Sequence, residues 1–137
     1  MKKIIVRTTK RKEMVDITDD VQQIISNLSI KNGICVLFIP HTTCGITINE
    51  NADISVRRDI LSHFSRMVPE DGLYQHLEGN SDAHIQSTMS GHSLILIVEN
   101  QRIQLGTWQG IFLCEFDGPR TREVWISTLS SSEVNNL

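Results

Sequence analysis

The chain reads as an α+β fold, a largely antiparallel β-sheet or sandwich with two main helices and one short helix. Three observations predict it. Strand-like alternation is concentrated at the two ends of the sequence, helical periodicity lies between them, and no regular βαβ alternation occurs. With 137 residues, 39% of them hydrophobic, the sequence suits one domain, over 1–129, with a frayed tail over 130–137.

Taken in order, Lys3 to Thr9 alternates and the short Glu13 to Ile17 follows a polar Lys10-Arg11-Lys12 turn, which predicts an opening hairpin. Thr18-Asp19-Asp20 offers an N-cap, and Val21, Ile24, Ile25 and Leu28 recur at helical spacing until Lys31-Asn32-Gly33. Gly33 to Ile39 reads as a strand buried on both faces, and Gly45 to Asn49 as a half-buried one. Asn51 or Asp53 caps a second helix whose apolar face carries Ile54, Ile60, Leu61, Phe64, Met67 and Val68, with Pro69 closing it. A loop runs from Pro69 to Asn80, and a short helix from Ser81 or Asp82 to Met89. Four strands complete the pattern, at Ser93 to Val98, Arg102 to Leu105, Gln109 to Phe116 and Glu123 to Leu129, with turns at Glu99-Asn100-Gln101 and Asp117-Gly118-Pro119.

Composition excludes several classes. The apolar runs Ile34–Ile39 and Leu94–Val98 are too short to span a bilayer, and Met1-Lys2-Lys3 enters a strand without a signal-peptide core, so a cytoplasmic protein without membrane contact is expected. Cys35, Cys44 and Cys114 are odd in number and lack CxxC spacing, which speaks for reduced, buried thiols. A net charge of −3 and the lack of a basic stripe disfavour nucleic acid. Local basic points such as Arg57, Arg58, Arg120 and Arg122 remain capable of holding a small phosphate.

Leu105-Gly106-Thr107-Trp108-Gln109-Gly110-Ile111 is the least strand-like piece of the final β region. One reading makes Trp108 a stacking surface for a planar ligand, with Thr107 and Gln109 as hydrogen-bond partners; the other makes the block a Gly-flanked bulge whose Trp fills the core or a subunit contact. Together with Ser93 to Val98 this block resembles the signature of the YjbQ-like family, sometimes labelled secondary thiamine-phosphate synthase. His41-Thr42-Thr43-Cys44-Gly45, Asn49 to Asp53, Val56 to Asp59, Val68 to Gly72 and Asp82 to Ile85 resemble family segments in the family's order, so the likeness extends to about Ile126. Gln101 stands where the family usually has Gly, and Cys44 where Ala is common.

The resemblance implies a homotrimer. It also directs attention to His41, His76 and His84, which lie in the matching segments and whose imidazoles suit a divalent metal such as zinc, with magnesium as the alternative. Glu50 is the favoured functional carboxylate. Asp82 orients His84 or caps the short helix, and Asp53 caps the second helix. Asn51, Arg57, Thr107, Trp108 and Gln109 complete the expected site, with the Gly106–Gly110 segment lining the pocket beside His41 and His84. Cys44 is expected to serve packing. The implied activity joins an aminopyrimidine methyl diphosphate to a thiazole phosphate; the alternatives are a metal-dependent hydrolase and a non-enzymatic trimeric binding or scaffold module.

Overall fold

The alternation of the end regions folds into two antiparallel sheets facing each other across an aliphatic core. The structure, a computed structural model, describes residues 1–131. Its elements are β1 (Lys2–Arg7), β2 (Glu13–Asp16), α1 (Thr18–Asn27), β3 (Gly33–Phe38), β4 (Cys44–Glu50), α2 (Ile54–Met67), α3 (Ser81–Ser90), β5 (Ser93–Glu99), β6 (Arg102–Ile103), β7 (Gln109–Glu115) and β8 (Thr121–Ser130). Sheet order is β1-β8-β3-β5-β6 in the larger sheet and β2-β7-β4 in the smaller.

Period-two side chains decide what each sheet buries. Ile4, Val6, Cys35, Leu37, Leu96, Val98, Val124 and Ile126 point inward from the larger sheet and meet Ile46, Ile111 and Leu113 of the smaller one. Val21 and Ile25 of α1 join this core. The opposite face of the smaller sheet, with Met14, Phe112, Cys114 and Phe116, is covered by Ala83 of α3 and by Ile60, Leu61 and Phe64 of α2. β7 is therefore buried on both faces, and β3 is not. The expectation for Gly33 to Ile39 is corrected here: Ile34, Val36 and Phe38 alternate outward onto a face that is only partly covered among the described residues, with Phe38 exposed.

Local signals are honoured unevenly. Asp53 caps α2, accepting from the Ser55 N–H at 2.9 Å. At α1 the N-cap is Ile17 rather than Thr18 or an aspartate; Asp16 accepts both the Thr18 N–H and its hydroxyl instead. The β5–β6 turn places Asn100 at φ 52° and Gln101 at φ 63°, so the missing glycine is tolerated. Hydrogen bonds from the Asn100 N–H to Asn32 and from the Gln101 N–H to the Lys31 carbonyl hold this turn. Ser130 ends β8 instead of starting the tail, and the Ser131 N–H bonds Asn32; positions 132–137 of the expected tail lie outside the described residues. Among the described residues no helix is long and apolar enough to cross a membrane.

Candidate functional site

A carboxylate in the doubly buried β7 organises one end of the molecule. Glu115 is 0% exposed and accepts from the Thr8 hydroxyl at 2.7 Å, from the Phe116 and Asp117 N–H groups, and from Arg122 Nε at 2.9 Å. Arg122 Nη2 also reaches Glu115, together with the Thr43 hydroxyl at 2.8 Å and the Thr43 carbonyl. Burial pulls the guanidinium's pKa down, but the Glu115 hydrogen bonds and charge outweigh it and hold the pKa above its usual value. Nη1 makes no hydrogen bond among the described residues and belongs to a residue that lines the adjoining cavity.

That cavity, of about 370 Å³, lies where the loop after β3, the β7–β8 turn and the first turns of α3 meet. His41, Thr43, Asn80, His84, Arg120 and Arg122 line it, together with the carboxylates of Glu78 and Asp117. The Glu123 N–H donates to His41 Nε2 at 2.9 Å, so in the neutral ring the proton resides on Nδ1, which has no partner among the described residues. Burial first, and the Arg122 charge second, lower the His41 pKa and keep the ring neutral. Asn80 donates through Nδ2 to Asp117 at 2.9 Å, which fixes the amide's orientation and leaves its buried Oδ1 without a partner among the described residues. Asp117, also bonded by Arg120 at 2.9 Å, stays below the usual carboxylate range; burial opposes this and the hydrogen bonds prevail. Arg122 and His41 thus offer positive charge and a directed N–H, and Asn80 an unmet acceptor, around one small volume.

The sequence-predicted residues divide between this end and elsewhere. His41 and His84 share the cavity, and the His76 and His84 rings meet edge to face at 5.3 Å. Yet among the described residues no group of three or more His, Cys, Asp or Glu side chains is placed to hold a metal ion. The lone pair of His41 Nε2 is also committed to Glu123, so the histidines of one chain do not fit a three-ligand centre as they stand. Asp82 is corrected from both of its expected roles. It is 0% exposed, and its oxygens take Arg11 at 3.0 Å and Lys12 at 2.6 Å, leaving neither for His84 nor for a cap.

Glu50, Asn51, Thr107, Trp108 and Gln109 lie at the other end of the small sheet. β4 starts at Cys44, opposite Glu115, and ends at Glu50, opposite Gln109. Six residue steps along a strand separate these ends by about 20 Å. The expected placement of the Gly106–Gly110 segment beside His41 is therefore corrected within the chain: Trp108 is 63% exposed, with its carbonyl accepting from the Asn51 N–H. Gly110 has a packing reason, since a Cβ there would fall 2.7 Å from the Asn51 amide nitrogen. Arg57 sits over the Phe112 ring at 4.7 Å, away from the His41 cavity wall. Burial pushes the Cys44 thiol up to about 12, which leaves it un-ionised and consistent with packing.

Asn80 and Glu115 escaped the sequence reading. For Glu115 a signal existed, a single carboxylate inside the apolar run Ile111 to Phe116.

An α+β chain of two facing antiparallel sheets, helices over the smaller one and a polar, small-molecule-sized cavity at its Glu115 end defines the class of protein at hand. The family model described as UPF0047 protein YjbQ-like matches residues 2–131, and the chain belongs to that family. It is 51% identical over 124 residues to UPF0047 protein MJ1081 of Methanocaldococcus jannaschii, covering 90% of each chain. Identity to UPF0047 protein YugU of Bacillus subtilis is 49% over 130 residues, 94% of this chain and 98% of the relative. A crystal structure of an uncharacterised conserved family protein from Clostridium acetobutylicum superposes with a TM-score of 0.92 at 44% identity, covering 94% of this chain and 100% of the other.

Proposed function

We propose that this chain is a small-molecule enzyme whose His41–Arg122 cavity takes a phosphorylated heterocycle. The observation that carries the reading is the buried, unpartnered Asn80 Oδ1 in a wall that also presents Arg122 and a neutral His41. A buried acceptor without a donor costs about 1–3 kcal/mol, which a ligand N–H or O–H would recover. Arg122, immobilised by Glu115, receives an anionic oxygen without reorganising, and His41 Nδ1–H directs a second hydrogen bond to it.

The family resemblance points to thiamine-phosphate formation as the reaction. In that step the thiazole nitrogen forms a bond to the pyrimidine methylene, the bond from that carbon to the diphosphate oxygen breaks, and diphosphate leaves with the electron pair. Arg120 and Arg122 would hold phosphate oxygens as charge gathers on the leaving group. Incubation of the purified protein with both precursors should yield thiamine phosphate, and His41→Asn should weaken thiamine phosphate binding about tenfold, the worth of one charge-assisted hydrogen bond. Absence of product together with absence of saturable binding would overturn the reading and favour a scaffold module.

The same proposal includes a homotrimer. Ile95, Ile97 and Leu129 on the outer face of the larger sheet are 69%, 57% and 56% exposed, and Ile5 and Phe38 extend the patch. Contiguous apolar surface of this kind is rare on monomers. Sedimentation at micromolar concentration should give three times the chain mass, and Ile95→Asp should yield monomers; a monomeric native protein would contradict it.

A further inference from the structure

A second cluster of cations lies apart from the His41 cavity, around the first turns of α2 and the loop before β2. Lys10, Lys12, Arg57 and Arg58 line a pocket of about 260 Å³ whose floor includes Met14 and Leu61. Lys12 is committed to Asp82 and Gln86, and the one carboxylate in the wall, Glu13, accepts from the Thr9 N–H and hydroxyl. Among the described residues Lys10, Arg57 and Arg58 have no ion-pair partner.

Arg57 is the informative member. It is half-buried against Phe112, its Nε is buried without a hydrogen-bond partner among the described residues, and the guanidinium's one hydrogen bond to them is a long 3.4 Å contact from Nη2 to the Asn51 carbonyl. A partly desolvated guanidinium ordinarily finds a carboxylate, and in a chain of net charge −3 acidic partners are plentiful. Three uncompensated cations around one depression are therefore a local arrangement rather than a consequence of overall charge. Guanidinium groups match the paired oxygens of a phosphate, and a lysine adds a point charge.

We propose that Lys10, Arg57 and Arg58 form a second anion site, which binds the phosphate group of a small molecule independently of the His41 cavity. The size of the pocket favours a phosphomonoester over a polymer. The test is a titration with inorganic phosphate at constant ionic strength, followed through backbone amide resonances. Saturable shifts are expected at Met14, Arg57, Arg58 and Leu61. Arg57→Gln should weaken phosphate there at least tenfold, and so should Arg58→Gln, an exposed position whose replacement leaves the fold intact. Neither change should alter phosphate-induced shifts at Thr43, Asn80 or Arg122, which keeps this proposal separate from the function assigned above. Shifts confined to the His41 cavity, shifts that never saturate, or equal affinity in both variants would overturn it.

Discussion

Replacing Glu115 by Ala is expected to destabilise the folded protein by about 3–5 kcal/mol, because it strands the Arg122 guanidinium in the interior. Both side chains are nearly sealed from water, at 0% and 5% exposed. Glu115 further accepts from Thr8, Phe116 and Asp117, so the change leaves additional donors unmet. At fixed protein concentration, urea denaturation should show a midpoint lower by about 1.5 M or more, taking a slope of about 2 kcal/mol per molar. A Glu115→Ala, Arg122→Met double variant should recover part of the loss, since it removes the stranded charge. A single variant within about 1 kcal/mol of the native protein would show that the pair contributes no more than a surface bridge.

The second large effect is expected at Asp82. Asp82→Asn should cost about 2–3 kcal/mol, less than the Glu115 variant because Arg11 and Lys12 retain 29% and 16% exposure and can recruit water. Burial works against ionisation of Asp82, yet the hydrogen bonds and charges of Arg11 and Lys12 overcome it and hold the carboxyl below its ordinary value. Its contribution is thus fully present above the unfolded carboxylate range, near pH 4, and is lost as pH falls through the lowered folded value. Asp117 carries the same sign. His41, whose pKa is lowered, adds a contribution present above about pH 6.5 and lost on acidification below it. An acid titration of stability should therefore fall in two stages, and Asp82→Asn should flatten the lower stage alone; an unchanged lower stage would contradict the assignment.

What the sequence made legible follows from how local each determinant is. Strand alternation, the α1 stripe and the Asp53 cap are written within a few residues, and the structure keeps them; of the α2 face Ile60, Leu61 and Phe64 pack on the smaller sheet, whereas Ile54 and Met67 are exposed. Burial of both faces is not local. The runs beginning at Ile34 and at Ile111 look alike, and only the docking of α2 and α3 over the smaller sheet seals the second. Site assembly is less local still. His41 and His84 were recognisable as chemistry-bearing residues, whereas the separation of Trp108 and Glu50 from them arises from the length of the β4–β7 ladder. Asp82 looked catalytic or capping because sequence shows its neighbours in the chain and not Arg11 and Lys12, which reach it from some 70 residues away. Gly110 looked like a ligand contact because a glycine's reason, here the Asn51 side chain, is a matter of three-dimensional proximity.

The His41–Arg122 cavity is the proposed place where a phosphorylated ligand binds. Titration of the native protein with thiamine phosphate, followed through the backbone amides and the His41 ring, tests this most directly. Saturable shifts at His41, Thr43, Asn80 and Arg122, abolished at the cavity by His41→Asn together with Asn80→Ala, are the predicted result. Silence at those positions, with any response confined to the Thr107–Gln109 segment or to the Arg57 pocket, would contradict it.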